Sequence, residues 1–368
     1  MLLRMTVVAI SATLVALVCE AALSWLAPIG DPFVTNNPSL NLLLHPNPEW
    51  MPNMLSPARF TTDEQGFRVS HPIDYRDKPP RTFRVFLIGG STTENLYIDD
   101  SRTFGAILER RLNETLRPAD RSAEVINAGR GGTGSADHFY LARQVVAYQP
   151  DVIVYLLGVN DMVPYLRNGF QPFASETKAR LRSWLLTSQL GRRAYVLFRV
   201  SSAAGQIIRD PTGAFLVPSR AQSQRAPLKP MPDAARKVSD AYRHNIRLLF
   251  ELHRRYRLPA VFMTQPALWH ADMRSDLEQL VATTPGGGAP FRYSTGGLDA
   301  LMNAYNDVLR TEVATEPLAS LADLARLLRK DDTTFYDDVH FTDAVQETIA
   351  DILFSSLRQS GLISPLEK

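Results

Sequence analysis

Three times in this chain a short apolar run stops at a glycine-bearing block. Val85-Phe86-Leu87-Ile88 ends in Gly89-Gly90-Ser91, and Val125-Ile126 ends in Asn127-Ala128-Gly129-Arg130-Gly131-Gly132. Asp151 to Leu157, the longest of the three runs, ends in Gly158-Val159-Asn160-Asp161. Apolar runs without polar alternation suit strands covered on both faces, the pattern of parallel sheets. Helical spacing follows the first two: Phe104, Ile107, Leu108 and Leu112 share one face, and a helix is expected from about Ser135 to Tyr148, closed by Pro150. Further along, a helix from about Ala234 to Tyr256, a strand at Ala260-Val261-Phe262-Met263, a helix around Leu301 to Leu309 and a strand near Leu321 continue the alternation. A last helix starts near Thr342, with Val345, Ile349, Ile352 and Leu353 turned inward. Five strands with intervening helices predict a three-layer α/β/α sandwich on a five-stranded parallel sheet. In such sheets the site lies at the carboxyl ends of the strands, where all three glycine blocks fall.

Met1 to Leu26 is apolar apart from Arg4, Glu20 and a few small hydroxyl residues. That is long enough to cross a ~30 Å hydrocarbon layer as a helix. Arg4 precedes the run and no Lys or Arg follows until Arg59, so the positive-inside rule keeps the N-terminus cytoplasmic and exports the body. The run continues past any small-x-small site, and Val18 before Cys19 does not suit a lipoprotein signal. The expectation is an uncleaved signal anchor over 1–27, with a cleaved signal peptide as the alternative, holding the body on the outer side of an inner membrane, in the periplasm or otherwise outside the cytoplasm. Residues 28–80 read as a proline-rich stalk lying partly on the body, followed by a hairpin around Phe60 to Val69, and 81–365 as the main domain. The alternation lapses between Tyr165 and Pro232, which reads as an insertion at about 166–232. A net charge of +2 points to no nucleic-acid partner. The single cysteine, Cys19, excludes an intramolecular disulfide or a cysteine-based metal site.

Asp337-Asp338-Val339-His340 carries the chemistry that the glycine blocks lack. A carboxylate three residues before an imidazole can hold it in one tautomer and make it a general base. Such a base needs a hydroxyl nucleophile at a loop and fixed N–H donors for an oxyanion. Ser91, on its own, reads equally well as a helix-capping hydroxyl, and Asn160 as a turn residue. Gly129-x-Gly131-x-x-Gly134 also fits a dinucleotide fingerprint. Asp151, however, opens the following strand where a ribose-binding acid would close it.

Taken together in chain order, the four blocks resemble the SGNH (GDSL-type) hydrolase family. The resemblance covers about Arg84 to Leu357, excepting the insertion. The family's first block reads Gly-Asp-Ser, and here Gly90 stands in place of the Asp, as in some bacterial envelope members. The resemblance implies a flavodoxin-like sandwich and a serine ester hydrolase without metal or cofactor. Ser91 would be the nucleophile, His340 the base and Asp337 its orienting carboxylate. The Ser91 amide, the Gly132 amide and the Asn160 side chain would hold the oxyanion. Asp161 would be structural. Anchored members are associated with cell-surface polysaccharides, which implies an acylated glycan as substrate and removal of O-acetyl groups. The alternatives are acetyl transfer to a sugar hydroxyl, then a lipase or thioesterase, then a non-catalytic glycan-binding subunit. The insertion carries Lys178, Arg180, Arg182, Arg192, Arg193, Arg199, Arg209, Arg220, Arg225 and Lys229, with an amphipathic helix expected around Leu181, Trp184, Leu185 and Ser188. Folded beside the strand ends, it would put a positive field at the mouth of the site.

Overall fold

The computed structural model describes residues 2–29, 34–167, 188–199, 210–231, 238–282 and 291–363. In chain order these form α1 (Leu2–Leu26), β1 (Asn41–Leu44), β2 (Ala58–Thr61), β3 (Thr82–Gly89), α2 (Ser91–Glu94), α3 (Phe104–Leu116), β4 (Ser122–Asn127), α4 (Ser135–Val145), β5 (Val152–Leu156) and α5 (Val159–Arg167). Then come α6 (Gln189–Arg199), α7 (Leu216–Arg225), α8 (Asp240–Tyr256), β6 (Ala260–Met263), α9 (Thr295–Val313), β7 (Ala319–Ala322) and α10 (Gln346–Gln359). The five-stranded sheet runs β4-β3-β5-β6-β7 and every neighbouring pair is parallel.

The apolar runs bury both faces of this sheet. Phe86, Ile88, Ile126, Ile153, Tyr155 and Phe262 pack on one side against Leu141 and Val145 of α4, Ile246 and Leu249 of α8, and Leu301 and Tyr305 of α9. Val85, Leu87, Val125, Val154, Leu156 and Val261 face the other way, onto Leu108 and Leu112 of α3 and Ile349 and Leu353 of α10. Successive residues of a strand point to opposite faces, so one uninterrupted apolar run fills two layers at once. The predicted sandwich and its five parallel strands are therefore observed, each strand lying within a residue or a few of its expected position.

Two local expectations differ. The last helix begins at Gln346, later than Thr342, because the Thr342 N–H bonds the Thr334 carbonyl at 3.0 Å and Phe335 bridges Phe341. Phe60 does not form a hairpin with the residues that follow it. β2 pairs antiparallel with β1, and Arg68 makes a single bridge to Asn127. The proline-rich segment lies against the body. Leu44, Met51, Met54, Ala58 and Phe60 are buried in a third cluster with Tyr97, Ile98, Leu216 and Tyr336. The amphipathic helix expected around Leu181 to Leu185 lies outside the described residues.

Arg84 pins the amino edge of the sheet. Its side chain is wholly buried, bonded through Nε to Glu124 Oε2 at 2.7 Å, and through its two Nη atoms to the carbonyls of Tyr148 at 2.7 Å and Asp74 at 2.8 Å. Removing one partner of a buried pair strands the other charge. Arg84→Met is expected to cost about 3–5 kcal/mol in urea unfolding. A loss below about 1 kcal/mol would place this pair with exposed ones in energy.

Candidate active site

Ser91 opens α2 directly after β3, so its hydroxyl stands at the carboxyl edge of the sheet. It is also at a helix N-terminus, where the first N–H groups lack partners within the helix. The turn leading to it has no room for side chains. A Cβ on Gly89 would fall 2.0 Å from Thr93 Oγ1. One on Gly90 would fall 2.2 Å from Asn160 Nδ2. Any side chain at position 90 would therefore have to move the Asn160 amide.

The Ser91 Oγ lies 2.7 Å from His340 Nε2, and His340 Nδ1 lies 2.7 Å from Asp337 Oδ2. The other oxygen of Asp337 accepts from the backbone N–H groups of Val339 at 3.0 Å and His340 at 2.8 Å. The carboxylate is therefore held by its own loop while it orients the ring. Tyr336 stacks on that ring, with centroids 5.6 Å apart and planes 11° apart. Burial disfavours the imidazolium, but the Asp337 carboxylate outweighs it and raises the His340 pKa above its ordinary value. Burial likewise opposes ionisation of Asp337, and the facing imidazole with two N–H bonds brings its pKa below the usual carboxylate value. Asp337, named from the sequence as the orienting carboxylate, is the one that meets the imidazole, and the adjacent Asp338 has other partners. Asp338 accepts from Trp269 Nε1 at 2.8 Å and from the Ala282 N–H at 2.6 Å, so it ties down the neighbouring loops.

The second and third glycine blocks are stitched to each other and to α2. Asn127 donates to the Thr93 carbonyl at 2.7 Å and accepts from the Gly129 N–H at 2.9 Å. Asn160 Nδ2 donates to the Thr133 carbonyl at 2.9 Å. Asp161 accepts from the Ser135 N–H at 3.1 Å, and the Ser135 hydroxyl also donates to it. Burial pushes the Asp161 pKa up to about 6, against those two bonds. Gly132, with φ of +78°, occupies the left-handed region, and nothing lies within 4 Å of where its Cβ would be. The structure thus brings Ser91, His340 and Asp337 into one bonded chain. It sets Asn160 against Gly90 and puts the Gly131–Gly132 turn beside Ser91, since a Cβ on Gly131 would lie 3.7 Å from the Ser91 Cβ.

Sequence reasoning missed two residues at this site. Glu94, one helical turn after Ser91 and so on the same side of α2, is a buried carboxyl beside Gly131. Burial raises its pKa, and the Gly131 N–H bond pulls the other way. The i, i+3 spacing from Ser91 was the available signal. Arg220 of α7 is the second. It was grouped with a field of basic residues, yet its guanidinium clips three loops: the carbonyls of Tyr336 at 2.6 Å, Trp50 at 2.7 Å and Leu280 at 3.2 Å. Arg192 and Arg193 are not turned to the site either, since they bond the carbonyls of Ile29 and Ala27. Lys178, Arg180, Arg182 and Arg209 lie outside the described residues.

The family model described as GDSL-like Lipase/Acylhydrolase family matches residues 87–347. The chain belongs to this family of ester hydrolases, as the four blocks led one to expect. Among solved structures it is similar to an acetyl xylan esterase, AlAXEase, at 16% identity and a TM-score of 0.41, over 75% of this chain and 100% of that one. It is similar to TesA at 14% identity and 0.41, over 75% and 99%. It is also similar to Axe2, an acetylxylan esterase from Geobacillus stearothermophilus, at 11% identity and 0.41, over 77% and 96%. A search of curated proteins returns no match.

Because Arg220 presents a planar fork to three carbonyls, Arg220→Ala should destabilise the protein by on the order of 2 kcal/mol, the scale of a charged hydrogen bond. Arg220→Lys, with one ammonium, should recover less than half of that in thermal unfolding. Full recovery by Lys would mean that charge alone is what the three loops need.

Proposed function

We propose that this chain is a membrane-anchored serine esterase that removes O-acetyl groups from a cell-envelope or extracellular glycan. The observation that carries the catalytic part is the continuous chain from Ser91 Oγ through His340 to Asp337, with both links at 2.7 Å. His340 Nε2 takes the Ser91 proton as Oγ attacks the acyl carbonyl, and Asp337 stabilises the imidazolium that forms. The oxyanion is held by the Ser91 and Gly132 N–H groups and by Asn160. Asn160 Nδ2 has two hydrogens, one committed to Thr133, which leaves one for the developing charge. His340 then protonates the leaving alcohol, and water, deprotonated by the same base, releases acetate from Ser91.

The membrane part rests on α1, whose span Arg4–Leu26 has a mean hydropathy of 2.1 and no buried share. The glycan rests on the resemblance to anchored envelope members of the family. An acetylated glycan supplied with and without an acceptor sugar tests the reaction directly. Free acetate independent of acceptor is expected, and acetyl appearing on the acceptor would make the protein a transferase. A reporter fused at the C-terminus should be active only if it works outside the cytoplasm. A fluorescent, cytoplasmically folded fusion would overturn the exported placement.

The base gives a pH signature. His340 must be neutral to accept the proton, and Asp337 raises its pKa, so kcat/KM should climb with pH through a value above the ordinary ~6.5. Asp337→Asn removes the charge that raises it. The limb should then move to lower pH, while kcat falls on the order of 10⁴. A limb that stays in place would remove His340 from the role of base. Asn160→Ala should lower kcat by on the order of 10²–10³ and leave KM nearly unchanged. Gly90→Ala, which alters no reacting group, should displace the Asn160 amide and lower kcat in the same way. Normal turnover in Gly90→Ala would argue against Asn160 as a donor.

A further inference from the structure

The end of α1 is not attached to the body by a loose tether. Gln65 Nε2 donates to the Pro28 carbonyl at 2.9 Å, and Arg76 to the Trp25 carbonyl at 2.9 Å. Gln189, the first residue of α6, grips Ile29 twice: its Oε1 accepts from the Ile29 N–H at 2.9 Å, and its Nε2 donates to the Ile29 carbonyl at 3.3 Å. The two helices also cap each other. Glu20, the one acid in the apolar helix, accepts from the N–H groups of Gln189 at 2.6 Å and Leu190 at 2.9 Å, satisfying the open N-terminus of α6. In return Arg192 donates to the Ile29 carbonyl at 2.8 Å and Arg193 to the Ala27 carbonyl, where the α1 dipole ends in partial negative charge. An acid inside an apolar helix is costly in lipid unless it is paired, and α6 supplies the pair.

This junction fixes where α6 sits. At 1.5 Å per residue, α1 is roughly 37 Å long, against a hydrocarbon layer of ~30 Å. Its last turns therefore fall at the membrane–water boundary. Trp25, 74% exposed, is there, and aromatic residues of this kind prefer that boundary. The first turn of α6 is bonded to those same turns. Leu190, Ala194 and Leu197 recur at i, i+4, i+7 on α6, and all three are exposed, Leu197 at 72%. An outward apolar stripe beside two arginines, at the height where α1 leaves the membrane, has the chemistry of an interfacial helix.

We infer that α6 lies in the membrane interface, its Leu190–Ala194–Leu197 stripe in contact with lipid acyl chains, so that α1 and α6 together seat the domain on the bilayer. The inference rests on the reading of α1 as a membrane-spanning helix, and its test separates the two. Full-length Cys19→Ser protein would carry one new cysteine as Val15→Cys, Leu190→Cys, Leu197→Cys or Leu327→Cys, each labelled with a small environment-sensitive fluorophore. It would be reconstituted into vesicles of equimolar phosphatidylcholine and phosphatidylglycerol bearing nitroxide lipids. Labelling of Ser91 by a fluorophosphonate checks that each variant is folded. Labels at 190 and 197 should be quenched by nitroxides near the headgroups about twofold or more beyond the label at 327, on the far edge of the sheet. Quenching at 15 with none at 190 or 197 would overturn the inference and leave the anchor standing. No quenching at 15 either would overturn both. Glu20→Ala, which uncaps α6, should bring the 197 signal down toward the 327 control while the 15 signal persists. An unchanged 197 signal in that variant would overturn the clamp as what seats the helix.

Discussion

A sheet whose strands all run one way must return every connection to its starting edge, and this fixes where chemistry can occur. The returning helices cover both faces, so neither face is open to a substrate. What remains is the carboxyl edge, where the chain turns from strand to helix. Here β3, β4 and β5 each end in a block that reverses direction within a few residues, and the site is assembled from these reversals. The close approach of the three turns explains their glycines. A Cβ on Gly129 would fall 2.5 Å from the Glu94 nitrogen, a backbone atom that cannot swing aside.

The irregular segments have to satisfy their carbonyls without a ladder. Arginines do much of this. Arg68 reaches the carbonyls of Glu94, Asn95 and Ile98 and pairs with Asp100. Arg84 and Arg220 do the same at the amino edge and beside the His340 loop. A guanidinium offers five donors in a fixed plane, which suits the closing of several loops at one point. The order of the site is thus partly owed to residues that touch none of the reacting groups.

The strands were legible because burial on both faces leaves an unbroken apolar run, and the four blocks because each turn demands particular residues. The partners of charges were not legible. The basic residues gathered in one insertion suggested a field, but a sequence shows a charge's sign and not what it faces. Arg220 proved to be a clip between loops, and Arg192 and Arg193 caps on α1. Asp337 could be named by its spacing from His340, but the role of its neighbour Asp338 could not. In the fold one meets an imidazole and the other an indole. The β1–β2 pairing was hidden for a related reason: its strands are four residues each, embedded among prolines, and their register depends on a cluster contributed by distant Leu216 and Tyr336.

Gly90 and Asn160 share one volume, and this makes the two positions interdependent. A Cβ at position 90 would fall 2.2 Å from the Asn160 amide nitrogen, so any side chain there has to move that amide. What a substitution at 90 does is therefore conditional on how firmly the Thr133 carbonyl holds Asn160.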